Sequence, residues 1–219
     1  MIAALVTVAA AILLSTHSRL SRHRSALVPL FIARLGYAVP GGVIAVGLLV
    51  PFATFDNWLD AQMREAFDIS TGLLITGSIW LMIAAYMIRF LAAAIGAYDS
   101  GLAAVTPNMD AAARVLGRTA WGTVRAVHLP LLRPGLLTAL LIVFVDTVKE
   151  LPATLILRPF NHDTLAVHAF RLASDERLEA AAVPSLMIAA IGLLPVLLLL
   201  AQMDAWRQPR KTAEAPAPA

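Results

Sequence analysis

The sequence predicts an all-α protein, a polytopic membrane helical bundle of about five transmembrane helices. Hydrophobic residues make up 59% of the 219 positions and mean hydropathy is +0.78, where soluble domains are about 45–50% apolar. Charged residues are only 14%, against about 25% in soluble proteins. The apolar residues gather into five long runs, most of them near the ~20 residues that a membrane span needs, with short polar segments between. The chain has no cysteine, which excludes disulfides, thiolate metal sites and a cysteine nucleophile. The isoelectric point of 9.8 does not signal nucleic acid, because the basic residues cluster at the ends of apolar runs, where membrane topology places them.

The first run, 1–16, is followed by His17, Arg19, Arg22, His23 and Arg24. A signal peptide carries its charge before the apolar run; here the charge follows, so a first helix is expected. The second span is placed at 37–55, within an apolar stretch broken by Pro29, Gly36, Pro40, Gly41, Gly42 and Pro51. Neighbouring helices re-satisfy the backbone groups that such residues free. The third span, 70–97, is interrupted only by Arg89, the fourth, 134–157, contains Asp146, Lys149 and Glu150, and the fifth is 183–203. Residues 1–205 thus form one transmembrane domain. Residues 206–219, an Arg/Lys cluster and an Ala/Pro tail, are expected to be disordered.

Charge in the loops sets orientation. Segments 17–25 and 98–133 and the tail are rich in arginine and lysine, whereas 56–69 is acidic and 158–182 is mixed. Basic loops face the cytoplasm, so the N-terminus lies outside, and 98–133 and the tail lie inside. Arg34 and Arg89 then fall toward the cytoplasmic ends of their spans, where snorkelling to the interface is expected; a gate or a contact with a cytoplasmic partner is the alternative. Thr164 to Ala181 reads as an amphipathic helix on the outer surface. His162 and His168 are six apart and, with Asp163 and Asp175, match no zinc pattern, so no metal is expected.

Segment 98–133 is the most distinctive. Asp110 to Val124 has the alanine content of a helix and an acid near its positive end, with Asn108 as cap candidate. Gly117 allows a tight bend. Pro130 and Pro134 frame the return to the membrane. Ala112, Ala113, Gly117, Val127, Leu129 and Pro130 fall on the spacing of the "EAA" loop of ABC-importer permeases, which this segment resembles. Ala111 stands where that family has the glutamate that pins the helix, with Asp110 one position early; either Asp110 takes over that role or the fit is looser. The resemblance implies that Asp110, Ala111, Ala112, Ala113, Gly117, Val127, Leu129 and Pro130 form the contact with the ATPase. Without such a partner the segment would be an interfacial amphipathic helix.

A second segment runs Asp146-Thr-Val-Lys-Glu-Leu-Pro152 and on to Leu157-Arg-Pro159 and Thr164-Leu-Ala166. It resembles ferric-iron importer permeases, as do Phe170 to Ala182 and Gly36-Tyr-Ala-Val-Pro-Gly41. The resemblance covers Leu35 to Pro195 and is to the C-terminal half of permeases built from two halves, so the chain is expected to be one half. Ionisable groups in a span face the bundle interior or a wet cavity. Asp146 and Lys149 have the spacing to pair, Asp146 and Glu150 share a face and would repel, and Pro152 would kink the helix near Lys149. These four residues are expected to line or gate a translocation path; a structural salt bridge between helices is the other reading.

The resemblance further implies a MetI-like importer-permease core in a bacterial inner membrane, working by alternating access. Its implied partners are an ABC ATPase dimer, a periplasmic binding protein, a second permease half and lipid. ATP and magnesium would bind the ATPase, since no Gly-x-x-x-x-Gly-Lys-Ser/Thr loop occurs here. No Gly-x-Ser-x-Gly or His-Glu-x-x-His supports an enzyme. Thiamine, a phosphonate or a polyamine are alternative substrates to ferric iron, and a non-transporting scaffold or fragment is the alternative role.

Overall fold

In a computed structural model the chain is described for residues 1–20, 25, 27–102 and 104–207. No strand occurs among the described residues. In chain order come α1 (Ile2–Leu20), α2 (Leu27–Leu35), α3 (Gly41–Phe67), α4 (Ile79–Leu102), α5 (Pro107–Val115), α6 (Ala120–Thr123), α7 (Leu129–Leu131), α8 (Arg133–Val148), α9 (Pro152–Leu157), α10 (Leu165–Ser174) and α11 (Leu178–Arg207). A 3₁₀ turn, Gly36–Ala38, joins α2 to α3. A π-helical turn, Val124–His128, joins α6 to α7. By length and composition α1, α3, α4 and α11 are able to cross a membrane. The stretch Ala120–Leu131 followed by Arg133–Val148, bent by 80°, makes a fifth.

The central helix is α4, which packs on α1, α8, α3 and α2. Lipid is as apolar as leucine, so close contact between backbones, not burial from water, holds helices together in a membrane. Small residues supply it here. Ala94 of α4, Ala4 and Ala11 of α1 and Ala139 of α8 are fully buried together. A Cβ on Gly135 would lie 3.4 Å from Gly101 Cα, so α4 and α8 cross almost backbone to backbone.

Several expected boundaries move. The second span reads 37–55 in sequence, yet α3 continues to Phe67, because its acids have internal partners. Asp56 accepts hydrogen bonds from the backbone N–H of Ile75 and Thr76 at 3.1 and 2.7 Å, and Asp60 from that of Gly72 at 2.8 Å. The same bonds hold 70–78 as a loop, so the third helix begins at Ile79 rather than residue 70. The fourth run is two helices, α8 and α9. The expected helix from Asp110 to Val124 is also divided: α5 starts on Pro107, with Thr106 rather than Asn108 at its cap, and stops before Gly117. Gly117, at φ 74°, terminates it, with Arg118 N–H donating to Ala113 O, the closing bond of a Schellman motif. Asp68 and Glu176 end α3 and α10 in the same left-handed conformation. The turn at Glu176 cuts the helix expected over Thr164 to Ala181 into α10 and the start of α11. The fifth helix spans Leu178–Arg207, longer than 183–203. Arg22, Arg24 and most of the expected tail, 208–219, lie outside the described residues.

Candidate functional site

Asp110, in the first turn of α5, sits between two partners. Arg19 Nε donates to Asp110 Oδ2 at 2.8 Å, and His128 Nε2 lies 2.7 Å from Asp110 Oδ1. A carboxylate only accepts, so Nε2 carries the proton. His128 is fully buried, and its Nδ1 has no partner. Arg19 also donates to Leu102 O at 3.1 Å and to Val105 O, at the end of α4 and in the turn that follows it, where Val105 N–H donates to Leu102 O at 3.0 Å. One arginine thus ties the end of α1 to the end of α4 and to α5. Burial alone would raise the pKa of Asp110, but the hydrogen bonds from His128 and Arg19 outweigh it, and the carboxyl is held below 3.8.

Beyond this cluster a groove of about 580 Å³ is lined by Met109, Ala112, Ala113, Leu116, Val127 and Pro130, among others. Leu116 is 80% exposed and Val115 88%. The groove therefore brings together four of the sequence-selected residues, Ala112, Ala113, Val127 and Pro130. Asp110 lies on the buried side of α5. Ala111 is exposed outside the groove, Leu129 is half-buried, and Gly117 forms the turn, where a Cβ would meet nothing within 4 Å.

A second cluster lies in the bundle. Arg89 is about 15 Å along α4. Its Nε is 3.0 Å from Glu150 Oε2, an ion pair too poorly aligned for a hydrogen bond, and its Nη1 donates to Val39 O at 3.1 Å. Arg89 therefore does not snorkel to the cytoplasmic interface. It turns inward, because a buried carboxylate is within reach. Glu150 Oε1 also accepts from Ala153 N at 3.3 Å, capping α9. A Cβ on Gly41 would lie 2.3 Å from that oxygen, and one on Gly36 would lie 2.0 Å from Ile88 O. The Gly36–Gly41 and Lys149–Pro152 segments, distant in sequence, meet here on α4. Pro152 does not kink a continuous helix. It begins α9, and the break precedes it, at 149–151. Lys149 Nζ is 2.7 Å from Asp146 Oδ1, so that pair forms, and Glu150 turns from Asp146 to Arg89. Arg34 pairs with Asp99 at 2.7 Å on the exposed side of α4.

Sequence reasoning misses Arg19, His128, Arg89 and Gly41 as members of these clusters. For Arg89 a signal exists, since a lone charge in a long apolar run requires a partner. Among the described residues no three His, Asp or Glu side chains gather to hold a metal ion. Both clusters are built to join elements by charge, and neither presents a nucleophile beside a base.

Comparison with known proteins agrees with this architecture. The chain is 30% identical over 181 residues to "Fe(3+)-transport system permease protein FbpB 2" of Haemophilus influenzae, covering 81% of this chain and 32% of that protein. It is 26% identical over 169 residues to "Putative 2-aminoethylphosphonate transport system permease protein PhnV" of Salmonella choleraesuis, covering 77% and 57%. The chain thus spans from a third to just over half the length of these relatives. Two crystal structures of bacterial alginate ABC transporters share its fold. In one the match has a TM-score of 0.66 at 15% identity and covers 94% of this chain and 78% of that one. In the other, bound to a periplasmic protein carrying an alginate pentasaccharide, the TM-score is 0.66 at 17% identity, with 91% and 75% covered. The family model "Binding-protein-dependent transport system inner membrane component" matches residues 4–211, and with a multi-helix membrane bundle around a pinned Ala-Ala…Gly…Leu-Pro segment, the chain belongs to that family.

Proposed function

We propose that this chain is the membrane half of an ABC importer that carries ferric iron inward by alternating access. The observation that carries the reading is the exposed apolar groove along Met109, Ala112, Leu116 and Val127, on a segment held to the bundle by Asp110. Such a groove suits a protein partner, here an ABC ATPase dimer that binds ATP and magnesium. A loaded periplasmic binding protein would dock on the outer side, where the 68–78 loop and α10 lie, and a second permease half, the same chain or a homologue, would complete the pathway. The permease itself carries out no chemistry.

The clusters suggest how motion would pass. Force on α5 reaches α1 and the end of α4 through Asp110 and Arg19. Helix α4 also carries Arg89, which holds Glu150 at the α8–α9 break. A shift of α4 therefore bears on the segment with Asp146, Lys149, Glu150 and Pro152, which would line or gate the path. Ferric iron is favoured by the relative named for it. A phosphonate is the second reading, favoured by relatives named for 2-aminoethylphosphonate at similar identity over a similar stretch.

The test is purification of tagged chain from its native membranes in mild detergent, with mass spectrometry of the proteins that accompany it. An ABC ATPase together with an iron-type binding protein is expected. An ATPase with a phosphonate-type binding protein would move the substrate and keep the mechanism. A folded chain that brings no ATPase would overturn the importer reading.

A further inference from the structure

The stretch from α6 to α7 borders a second trough besides the Met109–Leu116 groove. It holds about 410 Å³, is mainly apolar, and lies between Ile12, Leu13 and Thr16 of α1 and Ala120, Trp121 and Val124. We propose that it seats one acyl chain of an anionic phospholipid of the cytoplasmic leaflet, with the lipid phosphate held by Arg125 and His17.

Position is the first ground. One wall is the last turns of α1, a helix long and apolar enough to cross a membrane, just before Arg19 marks its polar end. The trough therefore lies where acyl chains give way to headgroups. Its chemistry is the second. The one hydroxyl in its wall, on Thr16, is already bonded to Tyr98 OH at 3.1 Å, so the polar groups left to an occupant are those of His17 and Trp121. Trp121, 54% exposed, closes the other wall, and tryptophan at this depth is the usual marker of a membrane interface.

Charge is the third ground. The Arg125 guanidinium lies 5.9 Å from the ring centroid of Trp121, one of the trough's walls. His17, also exposed, borders the same trough. Residues 111–133 contain Arg114, Arg118, Arg125 and Arg133 and no acid. Among the described residues no carboxylate pairs with Arg118 or Arg125. Clustered basic residues beside a span select anionic lipid over zwitterionic lipid. Acyl seat, interfacial tryptophan and unpaired arginine are the three parts that such a lipid requires.

The test is native mass spectrometry of the full chain in mild detergent, offered equal phosphatidylglycerol and phosphatidylcholine. One saturable phosphatidylglycerol adduct is expected, retained about fivefold better than phosphatidylcholine, the preference that one basic side chain near a headgroup supplies. Arg125→Gln should remove that preference. Leu13→Trp should fill the trough and remove the adduct with every charge in place. Helical content and monodispersity are checked for both variants, and the competition on the unmodified chain decides the matter if either misfolds. Equal retention of the two lipids, an adduct unchanged by both substitutions, or a co-purified protein occupying the trough in place of lipid would overturn the proposal.

Discussion

Asp110 stands one position before the place where the related loop carries glutamate, and its shorter side chain reaches Arg19 and His128 from the first turn of α5. Asp110→Asn keeps the shape and removes the charge, leaving Arg19 facing a neutral amide and His128 facing a group that is no longer acceptor-only. A loss of about 1–3 kcal/mol in thermal stability is expected. The pH dependence has a definite sign. Because the folded carboxyl titrates below 3.8, its contribution is complete above that value and is lost as pH falls through the lowered folded pKa. The melting-temperature gap between the two chains should be constant near neutrality and close in acid; a gap that widens in acid would refute the assignment. Asp110 is legible as a pinning residue because a family spacing points to its neighbour. Its partners are not, since Arg19 lies in a different helix and the pairing of distant residues leaves no trace in local pattern. Arg89 shows the same limit. Its cost is visible in the sequence, but Glu150, the group that offsets it, is visible only in the fold.

At the scale of elements, the break between α8 and α9 is maintained by Glu150 more than by Pro152. Glu150 caps α9 through Ala153 N and holds Arg89 from α4, whereas Pro152 occupies a first-turn position where no backbone donor is needed. Pro152→Ala should cost less than about 1 kcal/mol. Glu150→Ala leaves a partly buried guanidinium without its carboxylate and should cost about 1–3 kcal/mol. Thermal melts of the two variants side by side check this ranking, and equal melting would show that proline makes the break. Long apolar runs reveal where helices lie, but not where they begin and end. Helix α3 runs past Phe55 because loop amides satisfy Asp56 and Asp60, and the apolar stretch 70–78 is a loop because those amides are committed there. Hydropathy counts residues and does not see which polar groups meet.

At the scale of the molecule, orientation rests on charge asymmetry between the loops and is open to direct measurement. The chain has no native cysteine, so single cysteines report cleanly. Leu73→Cys, in the loop that this asymmetry assigns to the outside, should react with a membrane-impermeant maleimide in spheroplasts. Val115→Cys, on α5, should react only after permeabilisation, and the reverse pattern would invert the topology. The π-helical turn at Val124–His128 has a bearing on how this architecture tolerates change in chain length. A residue added to or taken from an ordinary α-helix rotates everything beyond it by about 100°. A π turn already holds one residue more than an α turn. Deleting a single residue there restores plain α-helix and leaves the flanking faces aligned. The turn lies within the Gly117-to-Pro130 spacing, however, so such a deletion would keep the helix faces aligned while displacing Val127 from the groove or His128 from Asp110.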